Sequence, residues 1–464
     1  MNYPLALLVV LVAAFSLFLS RKSVQAGGFF HGQSDTGQAP GLITLIFSQV
    51  TTWIFARSLL NAAILGFYYG LWGVLAYTAY YLSFFTGALI IDHLRFRQGH
   101  RSIQAFLHQR FGAWGTRCYN LVIGVRLISE VFANLLVIGI LFGVAGSQTY
   151  TLAVLAVALI TLLYSMLGGL HASLRTDLFQ MLVFLVVLGL LLFFAFSGGH
   201  FSTALLHFKP FAFHEPGPVL LLVALLQVWS YPMHDPVMMD RGFLADRRTT
   251  WRSFIHAGWI SSLCILAFGS LGLIAGAGAL NGEAMNQALA RLLGEGPMLL
   301  FSATLVISAM STLDSTLSSS AKLLIMDMQL APARVRNGRI AMALFMLLGL
   351  ALVFWGNQDL FSAVAVSGTA SLYLAPVIFF SLWRNQRRIP LWSYLGSFVT
   401  AQTGALLYFT ESSGYSALLG EAHKYTKLLW ISLAILMIGC LLFQLGSLLA
   451  RRPKPTTRRM QVQP

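Results

Sequence analysis

The sequence predicts an all-α membrane protein with about thirteen transmembrane helices, and three observations carry that prediction. Of 464 residues 57% are hydrophobic and only 10% charged, and the mean hydropathy of +0.74 lies far outside the range of soluble domains. Apolar segments long enough to span fall at roughly 2–20, 41–68, 70–92, 118–147, 150–168, 175–197, 217–235, 253–278, 297–326, 338–355, 360–383, 391–411 and 424–449. The formal charge of +15 is distributed in clusters that fall on alternate sides of successive spans.

Those clusters are Arg21 and Lys22; Arg95, Arg97, Arg101, Arg110 and Arg117; Arg247, Arg248 and Arg252; Arg334, Arg336 and Arg339; Arg384, Arg387 and Arg388; and the tail from Arg451 to Arg459. This is the positive-inside pattern, so the basic balance reports the bilayer and no nucleic acid. The amino terminus is expected outside and the carboxyl terminus in the cytoplasm of a multi-pass cell-membrane protein. The first segment lacks a basic n-region and its positive charges follow it, so it reads as an anchor with its start outside. Residues 95–117 place Ile103, Phe106, Leu107 and Phe111 among basic and polar residues, the pattern of an amphipathic helix at the inner interface. Residues 451–464 form a basic tail too polar and proline-broken to fold, suited to anionic lipid. Cys118, Cys264 and Cys440 have neither metal nor redox spacing. Loops are short throughout, leaving function to the membrane itself.

The most informative segment is Ser308–Ala321, SAMSTLDSTLSSSA. At about 100° per residue, Ser308, Ser311, Thr312, Ser315 and Ser319 share one stripe with Asp314 at its border, while Ala309, Met310, Leu313 and Leu317 lie opposite. Hydroxyls and a carboxylate suit a small hard cation such as Na⁺ better than a soft metal. Serines alone also let membrane helices pack closely, but an intramembrane acid points to function.

A second clue is the segment WSYPMHDP at 229–236. Its two prolines remove amide donors and disfavour helical geometry at Tyr231 and Asp235, which predicts a broken helix or a helix end. Transporters bind ions and solutes at such breaks. His234 alone fits a hydrogen-bonded core histidine.

Arg57, Arg126, Glu130, Asp177, Asp314 and Lys322 lie within or at the edge of spans, where each needs a partner. Arg126 and Glu130, four apart, can neutralise each other. Arg57 has no acid three or four positions away; it either pairs with another helix or offers its fork to a solute carboxylate. Asp177, after the Gly168-Gly169 turn, either caps the following helix or shares a cation or proton site with Asp314.

Together these features resemble the sodium:solute symporter family, which includes proline, sugar and sialic acid symporters. Gly168-Gly169-Leu170 followed by Thr176-Asp177 and Gln180 is similar to its Gly-Gly-x and Thr-Asp-x-x-Gln; Ala309-Met310-Ser311-Thr312, with the later Asp327, to its Met-Ser-Thr/Ser helix. Asp235-Pro-Val-Met-Met-Asp-Arg-Gly-Phe-Leu-Ala245 is similar to its Asp-Gln-x-x-x-Gln-Arg-x-Leu-Ala, with one residue inserted. The resemblance spans about residues 41 to 411. It implies a LeuT-like core of two inverted five-helix repeats, 41–197 and 198–383, after an anchor and loop at 1–40 and before two peripheral helices in 384–450. It implies a sodium site at Thr51, Ile54, Ser308, Ser311 and Thr312, and in some members a further cation site falling on Asp177, Ser311, Asp314 and Ser315. Trp53 stands near the place where proline-type members carry aspartate, so that branch lends no solute identity. The positions expected to line the solute are Gln49, Thr52, Trp53, Arg57, Tyr231, His234 and Asp235. The expected activity is Na⁺-driven symport of a small organic solute, with Arg57 favouring an anion and no organic cofactor implied. Two alternatives are a proton-coupled symporter using Asp314 or Asp177, and a membrane-embedded enzyme using His234 and Asp235. The sequence lacks a nucleophile or metal motif for the latter.

Overall fold

A computed structural model describes residues 3–20, 25–34, 36–199, 202–208, 210–355, 366–386 and 388–450; the basic tail read from the sequence lies outside these. The described residues are helical throughout, without strands. In chain order they form α1 (Tyr3–Leu19), α2 (Ala26–His31) and α3 (Leu42–Trp53). Then follow α4 (Ala56–Arg97), α5 (Ile103–Phe142) and α6 (Gln148–Ser197). The short pieces α7 (Pro216–Gln227), α8 (Tyr231–His234) and α9 (Pro236–Gly242) come next. The remainder comprises α10 (Arg247–Gly278), α11 (Met285–Leu293), α12 (Glu295–Asp327), α13 (Val335–Trp355), α14 (Val366–Trp383), α15 (Leu391–Ser412) and α16 (Lys424–Ala450). Most apolar segments read from the sequence fall on one of these helices or on one arm of a kinked one; 41–68 and 217–235 each cross a break between helices, and 360–365 lie outside the described residues. This is a multi-pass membrane protein.

Left-handed glycines divide the three longest helices: Gly70 in α4, Gly112 in α5 and Gly169 in α6. The expected interfacial helix is present before Gly112, but its apolar face is not spent on lipid. Ile103, Phe106, Leu107 and Phe111 are all buried in the protein, and Phe111 stacks on Tyr394 with ring centroids 4.5 Å apart. Packing against other helices satisfies that face, which an isolated reading assigned to the bilayer.

α4 and α10 meet along small residues. A Cβ at Gly272 would lie 1.9 Å from the Ala63 carbonyl oxygen, and one at Gly66 would lie 2.6 Å from that of Gly269. Such close approach brings main chains into van der Waals contact, the main source of helix adhesion where water is absent. On the outside, Leu182, Val186 and Phe193 of α6 are more than half exposed and face the hydrocarbon. α1 docks on the same helix: Phe15 packs 4.2 Å from Phe179, and Gln180 Nε2 donates to Ser16 Oγ at 3.1 Å.

Two interruptions position the site. α3 stops at Trp53, where Ile54 leaves helical geometry (φ −84°, ψ 43°), and α4 starts at Ala56. α7 stops at Gln227, and the proline-bracketed segment continues as α8, an extended Asp235 (φ −103°, ψ 97°) and α9. The second break is where the two prolines place it.

Candidate cation and solute site

At the first break the final carbonyls of α3 lose their helical donors, and other helices supply new ones. Tyr81 donates to the Trp53 carbonyl at 2.6 Å. Ser308 donates to the Ile54 carbonyl, and Thr312 Oγ1 donates to the Thr51 carbonyl at 3.3 Å and to the Ser308 carbonyl at 3.0 Å. The hydroxyl stripe of α12 therefore meets the unwound end of α3. The Thr51 and Ile54 carbonyls and the Ser308 and Thr312 hydroxyls come together as hard oxygens of the kind that suits Na⁺; Ser311, expected with them, donates to Asp177 at 2.7 Å.

Asp177 does not cap its helix. The turn before it is made by Gly169, and Asp177 lies well inside the following arm, fully buried. Its Oδ2 accepts from Ser48 at 2.6 Å and from Ser315 at 3.2 Å, and its Oδ1 accepts from Ser311 at 2.7 Å. Arg241 of α9 completes the cluster. It donates to Ser48 Oγ at 3.1 Å, Ser315 Oγ at 2.7 Å and the Val237 carbonyl at 3.0 Å, with Nη2 3.6 Å from Asp177 Oδ2.

Asp314 belongs to a different set. Its Oδ1 accepts from Ser165 at 2.9 Å and its Oδ2 from Thr176 at 2.6 Å. The two acids, for which a shared site was one of the two sequence readings, share no hydroxyl partner among the described residues. Asp177 faces Arg241, whereas Asp314 faces the two arms of α6. Ser319, the last member of the stripe, donates to Asp240 at 2.8 Å, and Lys322 bridges Asp240 at 2.6 Å and Asp327 at 3.3 Å.

At the second break Arg126 pairs with Glu130 at 2.7 Å, as their spacing implied, and also with Asp235 at 3.2 Å. Asp235 Oδ1 accepts from the Met238 amide at 2.8 Å and so caps α9. His234 Nε2 is hydrogen-bonded to Ser367 at 2.7 Å. Asp235 is thus a helix cap and an ion-pair partner, whereas His234 keeps a buried Nδ1 with no hydrogen-bond partner among the described residues. Tyr231 stands edge-on to Trp53, centroids 5.5 Å apart, and Trp53 also packs on Tyr81 and Phe84. Thr52 is buried and donates only to its local Gln49 carbonyl at 3.1 Å. Arg57 is fully buried, with its guanidinium 5.0 Å from the Phe55 ring centroid. No acid lies within 4.0 Å of it among the described residues, so the helix-to-helix ion pair left open by the sequence is not formed there. A cavity of about 530 Å³, within the usual range for small-ligand sites, borders Arg126 and His234.

Ser48, Ser165 and Asn61 escaped the sequence reading, and Thr176 and Arg241 were read only as members of motifs, without the contacts they make. Arg241 stands inside the quoted Asp235–Ala245 motif but reads there as an interfacial charge. Asn61 follows Arg57 by one helical turn, a spacing that could have flagged it.

The sodium:solute symporter family's sequence model matches residues 37–209. No curated protein matches the sequence. Among solved structures, a substrate-bound, outward-open Na⁺-coupled sialic acid symporter is similar in fold: TM-score 0.70 at 14% identity, covering 96% of this chain and 98% of that one. Mhp1, a nucleobase-cation-symport-1 family transporter, closed with bromovinylhydantoin bound, gives a TM-score of 0.52 at 15% identity, covering 93% and 96%. The chain thus matches the sodium:solute symporter family over residues 37–209 and has the LeuT-like fold of Na⁺-coupled transporters along nearly its whole length.

Proposed function

We propose that this protein is a secondary active transporter that couples inward movement of Na⁺ to uptake of a small organic solute by alternating access. One observation carries the reading: the carbonyls released where α3 unwinds meet the hydroxyl stripe of α12. An ion there bridges two helices that separate when the inner side opens. Thr51, Ile54, Ser308, Ser311 and Thr312 are its proposed ligands. Asp177 and Ser315 are read as a second cation position on which Arg241 already rests, and Asp314 as a separate buried acid beside it. The proposed organisation is two repeats, 41–197 and 198–383, with the amino terminus outside and the carboxyl terminus in the cytoplasm. The solute is proposed to lie near Gln49, Trp53, Arg57, Tyr231 and His234, and to be an anion because no acid lies within 4.0 Å of the buried Arg57 among the described residues. Uptake into proteoliposomes under an inward Na⁺ gradient tests the reading. Accumulation should require Na⁺ and fall at least tenfold in Ser311→Ala/Thr312→Ala. Uptake that follows pH in place of Na⁺ and fails in Asp314→Asn would assign proton coupling instead.

A further inference from the structure

The cavity of about 530 Å³ beside the second break lies between α5, α13, α14 and α15. Of the positions proposed to surround the solute only His234 borders it; Gln49, Trp53, Arg57 and Tyr231 do not. It is a separate space. Leu121 and Val125 of α5 and Leu406 of α15 form one side of it, and each is more than half exposed. These side chains face hydrocarbon, so the cavity opens sideways. Its depth follows from α5, whose arm after Gly112 ends at Phe142. At about 1.5 Å per residue, the lining stretch 121–132 begins about 12 Å from one end of that arm and stops about 15 Å from the other. The opening therefore stands near the centre of a hydrocarbon core about 30 Å thick. An occupant arrives through lipid, where a charged group is costly.

The inner end of the cavity is neutral as well. Arg126 borders it but is 1% exposed and is ion-paired to both Glu130 and Asp235. One cation between two carboxylates offers nothing to an anion, and neither acid lines the cavity to receive a cation. The partly accessible polar groups are Ser129, Ser367 and Gln402. Ser129 donates to the Arg126 carbonyl at 2.7 Å, Ser367 is hydrogen-bonded to His234, and Gln402 Nε2 donates to the Ala370 carbonyl at 3.1 Å. The side-chain oxygen of Gln402 meets no donor among the described residues. An amide oxygen left without a donor at this depth is costly, because no water is there to supply one. A hydroxyl satisfies it and carries no charge.

We propose that this cavity is a second ligand site, separate from that of the solute, which takes an uncharged amphiphile from the bilayer: an alkyl chain lies against the apolar walls, and a small hydroxyl head donates to the Gln402 side-chain oxygen. A phospholipid does not qualify, since its head stays at the interface.

Photolabelling of the full chain in phosphatidylcholine nanodiscs tests this. A diazirine-bearing dodecanol is the reporter, with dodecanol, dodecane, dodecyltrimethylammonium and dodecanesulfonate as competitors. Labelling should saturate, concentrate in residues 121–132 and 402–409, and yield to dodecanol at a concentration at least tenfold lower than to the other three. That ranking is read on the unaltered protein and so stands whether or not a variant folds. Ala405→Phe, which fills the cavity from its wall, should remove labelling at the site. Gln402→Leu should bring dodecanol down to the level of dodecane. The proposal is overturned if the label spreads evenly over the lipid-facing helices, if the four competitors act alike, which would mark an ordinary acyl-chain groove, if folded Ala405→Phe labels as the parent does, or if Gln402→Leu keeps the preference for dodecanol.

Discussion

Arg241 on α9 approaches Asp177 on α6 to 3.6 Å, with both side chains wholly buried, and the hydroxyls of Ser48 and Ser315 bridge the two by accepting from Arg241 and donating to Asp177. The pair therefore ties the piece of chain after the second break to α6, with the first broken helix joined through Ser48. On the proposed alternating-access cycle and orientation, these elements part when the inner side opens.

Arg241→Gln leaves Asp177 in low dielectric without its counter-charge. Breaking a buried pair from one side costs about 3–5 kcal/mol, whereas Asp177→Asn with Arg241→Gln removes both charges and should cost less than the sum of the single changes. A double-mutant cycle of unfolding in micelles measures the coupling. Additive single costs would show that the two charges do not sense each other.

The proposed sodium site can be probed at Thr312 with little disturbance of Asp177, because among the described residues its hydroxyl donates only to the Thr51 and Ser308 carbonyls. Removing one of five oxygen ligands from a monovalent ion is expected to cost about 1–2 kcal/mol, comparable to a hydrogen bond to a charged group. Thr312→Ala should then raise the Na⁺ concentration for half-maximal uptake by about five- to thirtyfold. Isothermal titration with Na⁺ gives the same number without transport. An unchanged Na⁺ requirement would remove Thr312 from the site.

Much of the fold was legible because each span writes its length and its flanking charge into the sequence. The break at Pro232 and Pro236 was legible for the same kind of reason: a missing amide is a local property. The break at Ile54 was not, since no proline or glycine marks it and Tyr81, Ser308 and Thr312 stabilise it from distant helices. The hydroxyl stripe showed that α12 has a polar face, but periodicity says nothing of what a face meets. Hence the sequence left Asp177 open as a helix cap or as a partner of Asp314, whereas the structure gives the two acids different hydroxyl partners, Ser48, Ser311 and Ser315 for one and Ser165 and Thr176 for the other. That no acid lies within 4.0 Å of Arg57 among the described residues is likewise a three-dimensional fact. The sequence excluded only acids one turn away.

Lys322 and Asp240 form a second inner contact, 2.6 Å apart, that joins α12 to α9. Asp240 stands where the resembling motif carries glutamine. In a cysteine-free background, Met239→Cys, buried beside Lys322, should react slowly with a membrane-impermeant maleimide applied from the cytoplasmic side. Adding Lys322→Gln should accelerate labelling several-fold, by freeing α9 to move. Equal rates in both proteins would show that the pair does not hold the inner side shut.

Gly169 sets the geometry on which the Asp177 and Asp314 contacts both depend, because it turns α6 between Ser165 and Thr176. Its φ of 57° is left-handed, and a Cβ there would lie 2.5 Å from the Phe29 carbonyl oxygen on α2. An alanine pays about 1–2 kcal/mol for the backbone conformation alone, and the clash with main chain adds to it. Gly169→Ala should therefore lower the thermal midpoint, and by shifting the two arms should weaken the Ser165 and Thr176 bonds to Asp314. Gly124→Ala, where a Cβ meets open space in regular helix, is the matched control and should leave the midpoint within a degree or two, since alanine is the better helix former. Equal midpoints for the two variants would mean that the turn at Gly169 relaxes without strain and that the Asp314 contacts do not depend on it.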